Sequence, residues 1–419
     1  MKNHHQILII GGGTGGIMVA AQLKRKQATL DIAIIEPSED HWYQPAWTLV
    51  GGGTYNYANS RRDEKSVIPK GVTWIKDRAN NITPEENKVY TDNNGAFTYD
   101  YLVVAPGLVN DLSLIEGLED AVKKGAVCSN YIDPEYTWKC LQEFKGGNAI
   151  FTQPTTPIKC GGAPQKIMYL ATEYFQKKGL EKTSNVVFAT PGSVIFGVKI
   201  IAETLMNVIH RNHIHFKPFY APIKIDADNK TVYFKSVAPE ENNCVVNEGN
   251  VLCEKIQGDS IIEMPFDFLH LAPPQTAPKF IKESTLVNSA GWLDVNIHSL
   301  QHKKYSNIFG VGDVAALPTA KTGAAIRKQA PVIVDNILKL LQNQVASNES
   351  YDGYSSCPLV TGYGKMALAE FNYKNEFTPD PMLKYMLVFN SYKESWRLWL
   401  LKKYGLPYMY WNRMLKGKM

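Results

Sequence analysis

Nowhere does this chain approach the ~18 uninterrupted apolar residues of a membrane-spanning helix. The opening MKNHHQ enters an apolar run at once, with no room for a signal or transit segment. The expectation is therefore a bacterial protein on the cytoplasmic side, or a mature chain whose targeting segment is absent. Cysteine is scarce, with six in 419 residues: Cys128, Cys140, Cys160, Cys244, Cys253 and Cys357. No two are spaced C-x-x-C, and the chain is long, so neither a zinc site nor a secreted disulfide scaffold is expected, and no metal is assigned. Acidic residues are nearly missing from the end of the chain. Residues 381–419 hold eight Lys and Arg against Glu394, a net +7 that leaves residues 1–380 at −2 of the overall +5. A basic tail on a nearly neutral body points to a local anionic partner and excludes nucleic-acid binding over the whole surface.

What is present is an ordinary globular composition, 44% hydrophobic and 20% charged, long enough for two or three domains. The chain is organised around residues 7–36, ILIIGGGTGGIMVAAQLKRKQATLDIAIIE. Ile7 to Ile10 read as a buried parallel strand, IMVAAQLKRK as a helix, and Asp31 to Ile35 as a second strand. Between the first strand and the helix, Gly11 permits the tight turn, Gly13 admits a pyrophosphate to the backbone, and Gly16 lets helix and strand pack closely. The free N–H groups of the helix N-terminus face the phosphates. Glu36, 20 residues after Gly16, is placed to accept from the ribose hydroxyls. This fingerprint does not by itself separate FAD from NAD.

A further strand is expected in YDYLVVAPG (residues 99–107), ending on the Pro106-Gly107 turn. A second domain begins near residue 110, with strands in FKGGNAIFTQPTTP and SNVVFAT and the helix APQKIMYLATEYFQKKG between them. The turn after VVFAT reads PGSVIFG, which lacks the fingerprint glycines, so no nicotinamide nucleotide is expected there. The polar stretch APEENNCVVNEGN reads as a surface loop. Residues 305–330 return to the first domain: a strand ends at Gly310-Val311-Gly312-Asp313 and a helix begins near Thr322. Asp313 suits a flavin ribityl chain, and the helix N-terminus suits the electron-rich pyrimidine of the flavin. A plain helix-capping role for Asp313 is the alternative.

The segments HWYQPAWTLVGGG, TTPIKCGGAPQKIMYL, IFGVGDVAALPTAKT, YDGYSSCPLVTGYGKMALAEF and YMYWNRMLKG resemble those of sulfide:quinone oxidoreductases, closest to the branch that includes the mitochondrial enzyme. The resemblance implies an α/β fold: two Rossmann-like dinucleotide-binding domains of the glutathione-reductase type plus a C-terminal membrane-associating segment. Its divisions fall at 1–109 and 288–350 for the FAD-binding domain, 110–287 for the second domain, and 351–419 for the C-terminal region. FAD is the implied cofactor, with Thr14, Gly15, Glu36, Gln44, Ala79, Asp313 and the turn Lys321-Thr322-Gly323-Ala324 in contact with it, and Gly107 at its strand-end turn. Cys160 and Cys357 are the implied redox pair, with Cys128 outside it. The implied partners are hydrogen sulfide, membrane quinone, a small sulfur acceptor (thiol, sulfite or sulfide) and a membrane surface, with a homo-oligomer open. The setting becomes a peripheral protein of a bacterial cytoplasmic membrane, or of the mitochondrial inner membrane if a targeting segment has been removed.

The residues themselves fit that chemistry. Cys160, in Pro157-Ile158-Lys159-Cys160-Gly161-Gly162, is expected to open a helix where Lys159 and the helix N-terminus favour thiolate. Cys357 lies in Ser355-Ser356-Cys357-Pro358. Either alone would more often be a buried structural cysteine, whereas both in Gly- and Pro-flanked turns of a flavoprotein favour a redox pair. Sulfide attack on a disulfide (or trisulfide-bridged) pair leaves a persulfide on Cys357 and a thiolate on Cys160; these roles follow the resemblance. The tail interleaves nine aromatics with its cations, as a headgroup-depth segment does. Tyr392, Trp396, Trp399 and Leu400 are expected on one helical face, with packing on the body or a dimer contact as the alternative. Two other functions share much of the pattern: a type II NADH dehydrogenase, and a non-catalytic flavoprotein that senses sulfide.

Overall fold

The computed structural model describes residues 2–239, 251–258, 260–347 and 350–419. The polar stretch 238–250, with Cys244, lies almost wholly outside the described residues.

The fingerprint folds as read. β1 (His4–Ile10) runs into the glycine turn, helix α1 (Thr14–Lys26) follows, and β2 (Ile32–Ile35) pairs in parallel with β1, Ile7 opposite Ile32. β3 (Thr73–Ile75), β4 (Ala79–Thr83), β5 (Lys88–Thr91) and β6 (Gly95–Val104) extend the sheet in the order β3-β2-β1-β6-β5-β4. The central strands are fully apolar because both faces are covered. One face carries Ile7, Ile9 and Ile34 against α1, the other Leu8, Ile10 and Ala33. Two short elements follow β2: a strand at Asp40–Trp42 and helix α2 (Trp47–Gly51).

The second sheet holds β7 (Gly147–Thr152), β8 (Ser184–Thr190), β9 (His215–Pro218) and β10 (Phe268–Leu271), all parallel, in the order β9-β8-β7-β10. Helices α3 (Pro134–Glu143), α4 (Ala163–Lys177) and α5 (Lys199–Arg211) accompany it, and an antiparallel sheet spans residues 220–265. The chain then returns to the first sheet: β11 (Ile308–Gly310) pairs with β6, and α6 (Gly323–Leu341) packs on α1. A hairpin of β12 (Ser355–Gly362) and β13 (Lys365–Phe371) comes next, with β12 against α4.

Residues 396–414 form an irregular helix. Ser395 Oγ accepts from Arg397 N at its start, and regular turns at Trp396–Leu400 and Leu406–Met409 alternate with wide π-turns at Leu401–Gly405 and Tyr410–Met414. Pro407 has no N–H to donate, which breaks the regular ladder where the wide turns occur. This corrects the expected face. Trp399 points inward with Leu398, whereas Trp396, Leu400, Tyr404 and Tyr408 are exposed at four-residue spacing. Further along, Tyr410, Met414 and Leu415 belong to the same core cluster as α1. The tail is thus part of the body with an aromatic outer face.

That division is testable by chemical denaturation. Leu415→Ala removes a side chain 1% exposed and should cost about 2–5 kcal/mol. Tyr404→Ala, on the outer face, should change stability by no more than about 0.5 kcal/mol. Similar small effects for both would mean that the tail is not part of the cooperative core.

Candidate active site

The two cysteines, 197 positions apart, meet where α4 lies on β12: Cys160 Sγ and Cys357 Sγ are 3.6 Å apart, both as free thiols. Cys160 does not open α4 but sits three residues before it, with φ +52, a left-handed conformation uncommon for a side-chain-bearing residue. Three hydrogen bonds hold it there. Its N–H donates to Lys321 O at 2.8 Å, its carbonyl accepts from Ala163 N at 2.7 Å, and Tyr131 OH reaches the same carbonyl at 3.4 Å. Backbone strain of this kind persists only where surroundings over-determine it. Cys357 lies within β12, opposite Ala369, rather than ahead of a strand.

The amine that faces the sulfur is not the one expected. Lys159 Nζ turns away and donates to Gln44 Oε1 at 2.6 Å, while Lys166, one turn into α4, donates to Cys160 Sγ at 2.9 Å. Lys166 is 2% exposed on a face that is otherwise apolar, which hides it from a pattern search. A hydrogen bond from Cys357, with the Lys166 and Lys402 charges behind it, holds the Cys160 thiol well below its ordinary range despite burial. Cys357 is pushed the other way, by donating to Cys160 and by burial. Burial opposes the charge on Lys166, but the two sulfurs outweigh it and raise its pKa. Both shifts favour negative charge on Cys160 over Cys357. Lys402, in the first wide turn of the C-terminal helix, is buried with its amine on Pro45 O at 2.7 Å, and burial with Lys166 nearby lowers it to about 7. Neither lysine was apparent from sequence; Lys402 hides in the run WLLKKYG.

Gly162 leaves the space above Cys357: a Cβ there would lie 2.7 Å from the Cys357 sulfur and 2.6 Å from Leu359 Cδ2.

The other sequence-predicted residues fall into two groups around the same cleft. At the glycine turn, Gly11 takes φ +100 against Ala105 O, and a Cβ on Gly16 would come within 2.0 Å of Gly11 O, so neither tolerates a side chain. Nothing lies within 4 Å of a Cβ on Gly13, and α1 has no side-chain cap, so its first N–H groups face open space. Gly15 packs toward Val311 and Ala105, and Gly107, at φ +71, opens onto free space just beyond β6. Glu36 Oε2 accepts from Gly12 N at 2.7 Å across the turn. Ala79 is buried at the start of β4, next to Thr91. This cradle fits a dinucleotide diphosphate and ribose.

At the other end, Lys159, Gln44, Asp313 and Lys321 gather near the cysteines. Lys321 Nζ bonds Asp313 O at 2.6 Å and Ala315 O at 3.2 Å over the Trp292 ring, and burial lowers it to about 8. Burial raises the Asp313 carboxyl, offset by Lys159 and Lys321. Asp313 does not cap α6. Thr322 Oγ1 does, accepting from Ala325 N at 3.1 Å, and it also meets Ser355 Oγ beside Cys357. Gly323 and Ala324 form the first turn of α6.

The turn after β8 is tied to its own domain: Ile195 and Val198 are buried in the second domain's core, Gln165 Nε2 donates to Ile195 O at 2.6 Å, and Phe219 N bonds Gly192 O. Gly192, Ser193 and Val194 remain exposed. Cys128 and Cys140 are neighbours in the second core, and Cys253 is exposed.

Residues 5–139 match the family described as Pyridine nucleotide-disulphide oxidoreductase. Over 419 residues the chain is 41% identical to "Sulfide:quinone oxidoreductase, mitochondrial" of Mus musculus, across 99% of this chain and 87% of that protein. The protein of the same description from Dictyostelium discoideum is 40% identical over 423 residues, covering 100% of this chain and 87% of its own length. The solved sulfide:quinone oxidoreductase of Aquifex aeolicus shares the fold, with a TM-score of 0.77 at 20% identity over 100% of this chain and 92% of its own.

The Lys166 contact predicts the reactivity of the reduced pair. Cys160 should be alkylated by iodoacetamide well below the pH of an ordinary thiol, and Lys166→Met should move that pH profile upward. Peptide mapping of the alkylated cysteine checks it; a profile unmoved by Lys166→Met would remove the ammonium from the account.

Proposed function

The chain belongs to the sulfide:quinone oxidoreductase family, and on that premise we propose how its residues divide the oxidation of sulfide by quinone. The observation that carries the assignment is the pair Cys160 and Cys357 at 3.6 Å with the Lys166 amine on Cys160. In the oxidised protein the pair is a disulfide. Hydrosulfide attacks Cys357 Sγ, forming an S–S bond there as the Cys160–Cys357 bond breaks, and the bonding electron pair leaves on Cys160. Cys160 is the better leaving group because the Lys166 amine beside it stabilises its thiolate, and a thiol of low pKa leaves faster. Gly162 leaves room for a small nucleophile at Cys357. A thiol, sulfite or second sulfide then attacks the outer persulfide sulfur, and Cys357 is released as thiolate. Re-forming the disulfide frees two electrons. FAD, when bound, supplies the acceptor for those electrons and their transfer to quinone.

The residues placed to hold FAD are the Gly11–Gly16 turn with Thr14 and Glu36 at the dinucleotide end, and Gln44, Asp313 and the Lys321–Ala324 turn near the sulfurs. Ala79 and Gly107 complete the cleft. The turn at 191–198, which lacks the fingerprint glycines, supports sulfide over NADH as donor and weighs against the type II dehydrogenase reading. Positioning of a leaving thiolate by a buried ammonium favours an enzyme over a sensor.

Quinone substrates with long tails reside in lipid, and the outer face of the tail suits contact with it. Phe389 and Tyr385 are 77% and 72% exposed, and Trp396, Tyr404 and Tyr408 continue the patch among Lys384, Lys393, Arg397 and Lys403. Such an aromatic and basic face lies at headgroup depth on anionic lipid. Among the described residues no helix is long and apolar enough to cross a membrane. The two relatives at 40–41% identity are mitochondrial by name, which favours the mitochondrial inner membrane over the bacterial setting.

Two experiments test this reading. Cys160→Ser and Cys357→Ser should each abolish rapid bleaching of the flavin by sulfide, while Cys140→Ser and Cys253→Ser keep it; stopped-flow absorbance at the flavin band reads the result. Full activity in either of the first two would sink the disulfide mechanism. Separately, Trp396→Ser with Tyr404→Ser should lower flotation with anionic vesicles several-fold and leave sulfide bleaching unchanged, because each residue lies on the outer face. Flotation equal to the parent's would argue against this face as the lipid contact.

A further inference from the structure

A second buried polar cluster lies beside the glycine turn, and the proposed chemistry does not use it. His41 Nδ1 meets Glu64 Oε2 at 3.1 Å, His41 Nε2 meets Tyr410 OH at 2.6 Å, and the same hydroxyl meets Thr14 Oγ1 at 2.9 Å. His41, Glu64 and Tyr410 are all nearly inaccessible to solvent. The rings of Tyr43 and Trp411 enclose Tyr410, at 4.7 and 4.9 Å between centroids, and Trp411 stands edge-on to His41. Three distant parts of the chain therefore meet at one hydroxyl: the glycine turn, the segment after β2, and the last wide turn of the C-terminal helix.

Two features show that the cluster faces a ligand. Glu64 Oε1 is buried without a hydrogen-bond partner among the described residues, and a Cβ on Gly12 would lie 2.4 Å from it. It sits beside Glu36 at the turn, an acceptor left over where a dinucleotide presents its hydroxyls. Thr14 opens α1, whose N–H groups have no side-chain cap. Burial also raises the Glu64 carboxyl, with His41 opposing that shift, so the cluster is tuned as one unit.

We propose that Tyr410, His41 and Glu64 form a latch that fastens the C-terminal helix to the FAD-binding turn, so that cofactor binding and docking of the tail reinforce each other. The proposal rests on the FAD reading above and extends it to residues that bind through Thr14 and the turn. Tyr410 and His41 act as positioning residues: they fix the Thr14 hydroxyl and the entry to α1. Beyond Tyr410 the tail continues along the same helix, with Lys416 Nζ on Ser66 O and Gly417 against the Ala21 and Gln22 backbone. Whatever orders α1 and its turn therefore also orders the last turn of the tail, and reciprocity requires the converse.

The test uses the purified flavoprotein. Tyr410→Phe keeps the ring in its aromatic setting and removes only the hydroxyl, so FAD should dissociate roughly 3- to 10-fold more readily, as expected for one lost buried hydrogen bond. Recovery of free flavin fluorescence on dilution measures this, with Tyr408→Phe, on the outer face, as the unaffected control. In the unmodified protein, excess FAD should slow tryptic cleavage after the exposed Arg413, read as release of the 414–419 peptide by mass spectrometry. Flavin retention in Tyr410→Phe equal to the parent's overturns the proposal, and so does cleavage at Arg413 that is indifferent to FAD. A parent protein that binds no flavin at all overturns the functional reading and the latch together; a yellow protein that fails either arm overturns the latch alone.

Discussion

The chemistry depends on one contact, the ammonium of Lys166 on the sulfur of Cys160 inside the interface of α4 and β12. A buried unpaired ammonium costs several kcal/mol, so a lysine in this place is tolerable only opposite a negative charge. A second lysine, Lys402, is buried 236 positions later in the chain and bears on the same two sulfurs. The Lys166 contact favours negative charge on Cys160 over Cys357 in the reduced pair. Environments that push two like groups apart assign their roles. In the mechanism proposed above, the sulfur beside the ammonium is the one that leaves, and the deeper Cys357 sulfur of the disulfide is the one attacked.

Much of this frame was legible in the sequence because the signals were local. The glycine turn, the strand–helix–strand around it and Glu36 at its end are set by steric demands within 30 residues, and all appear where read. Helix α4, the strand Ser184–Thr190 and the start of α6 at Thr322 follow from apolar periodicity and capping. The misses share a cause. Lys159 was favoured over Lys166 because adjacency in sequence stood in for adjacency in space, and a helix turns Lys166 back onto the preceding loop. Lys402 and the His41–Glu64–Tyr410 cluster join residues hundreds of positions apart, where no periodicity carries information. The outer face of the tail was misplaced by one residue, because Trp399 packs inward beside Leu398 within the regular first turn, and which side of an amphipathic aromatic faces the body is decided by tertiary packing.

The second domain shows how a fold can outlast one use of it. Its parallel sheet and helices are intact, yet the turn after β8 lacks the fingerprint glycines and sends Ile195 and Val198 into the core. Each apolar side chain buried there gains about 1.5–3 kcal/mol, so these residues serve the stability of the domain. What the domain still supplies is geometry. Its β7–α4 connection carries Cys160, and the Cys160 N–H donates to Lys321 in the loop that leads into α6. The redox loop is thereby tied to the cofactor side of the first domain instead of moving with a nucleotide.

The tail extends the same logic from catalysis to location. Its inner side is core, with Leu398, Lys402, Tyr410 and Leu415 buried, and its outer side is the aromatic and basic face. A detachable amphipathic anchor would need no buried lysine, and a purely structural helix would not expose four large side chains at four-residue spacing. Because one helix carries both faces, a lipid contact on the outer one, as proposed above, is held at fixed distance from the sulfurs through Lys402 and from the glycine turn through Tyr410. A reaction that takes electrons from a small water-soluble donor and delivers them to an acceptor in lipid needs that fixed distance, since neither substrate can travel to the other's phase. The wide turns that disrupt the helical pattern are where both inward contacts are made: Lys402 lies in the first and Tyr410 in the second. Through them one short segment reaches both Pro45 and the Thr14 hydroxyl of the glycine turn.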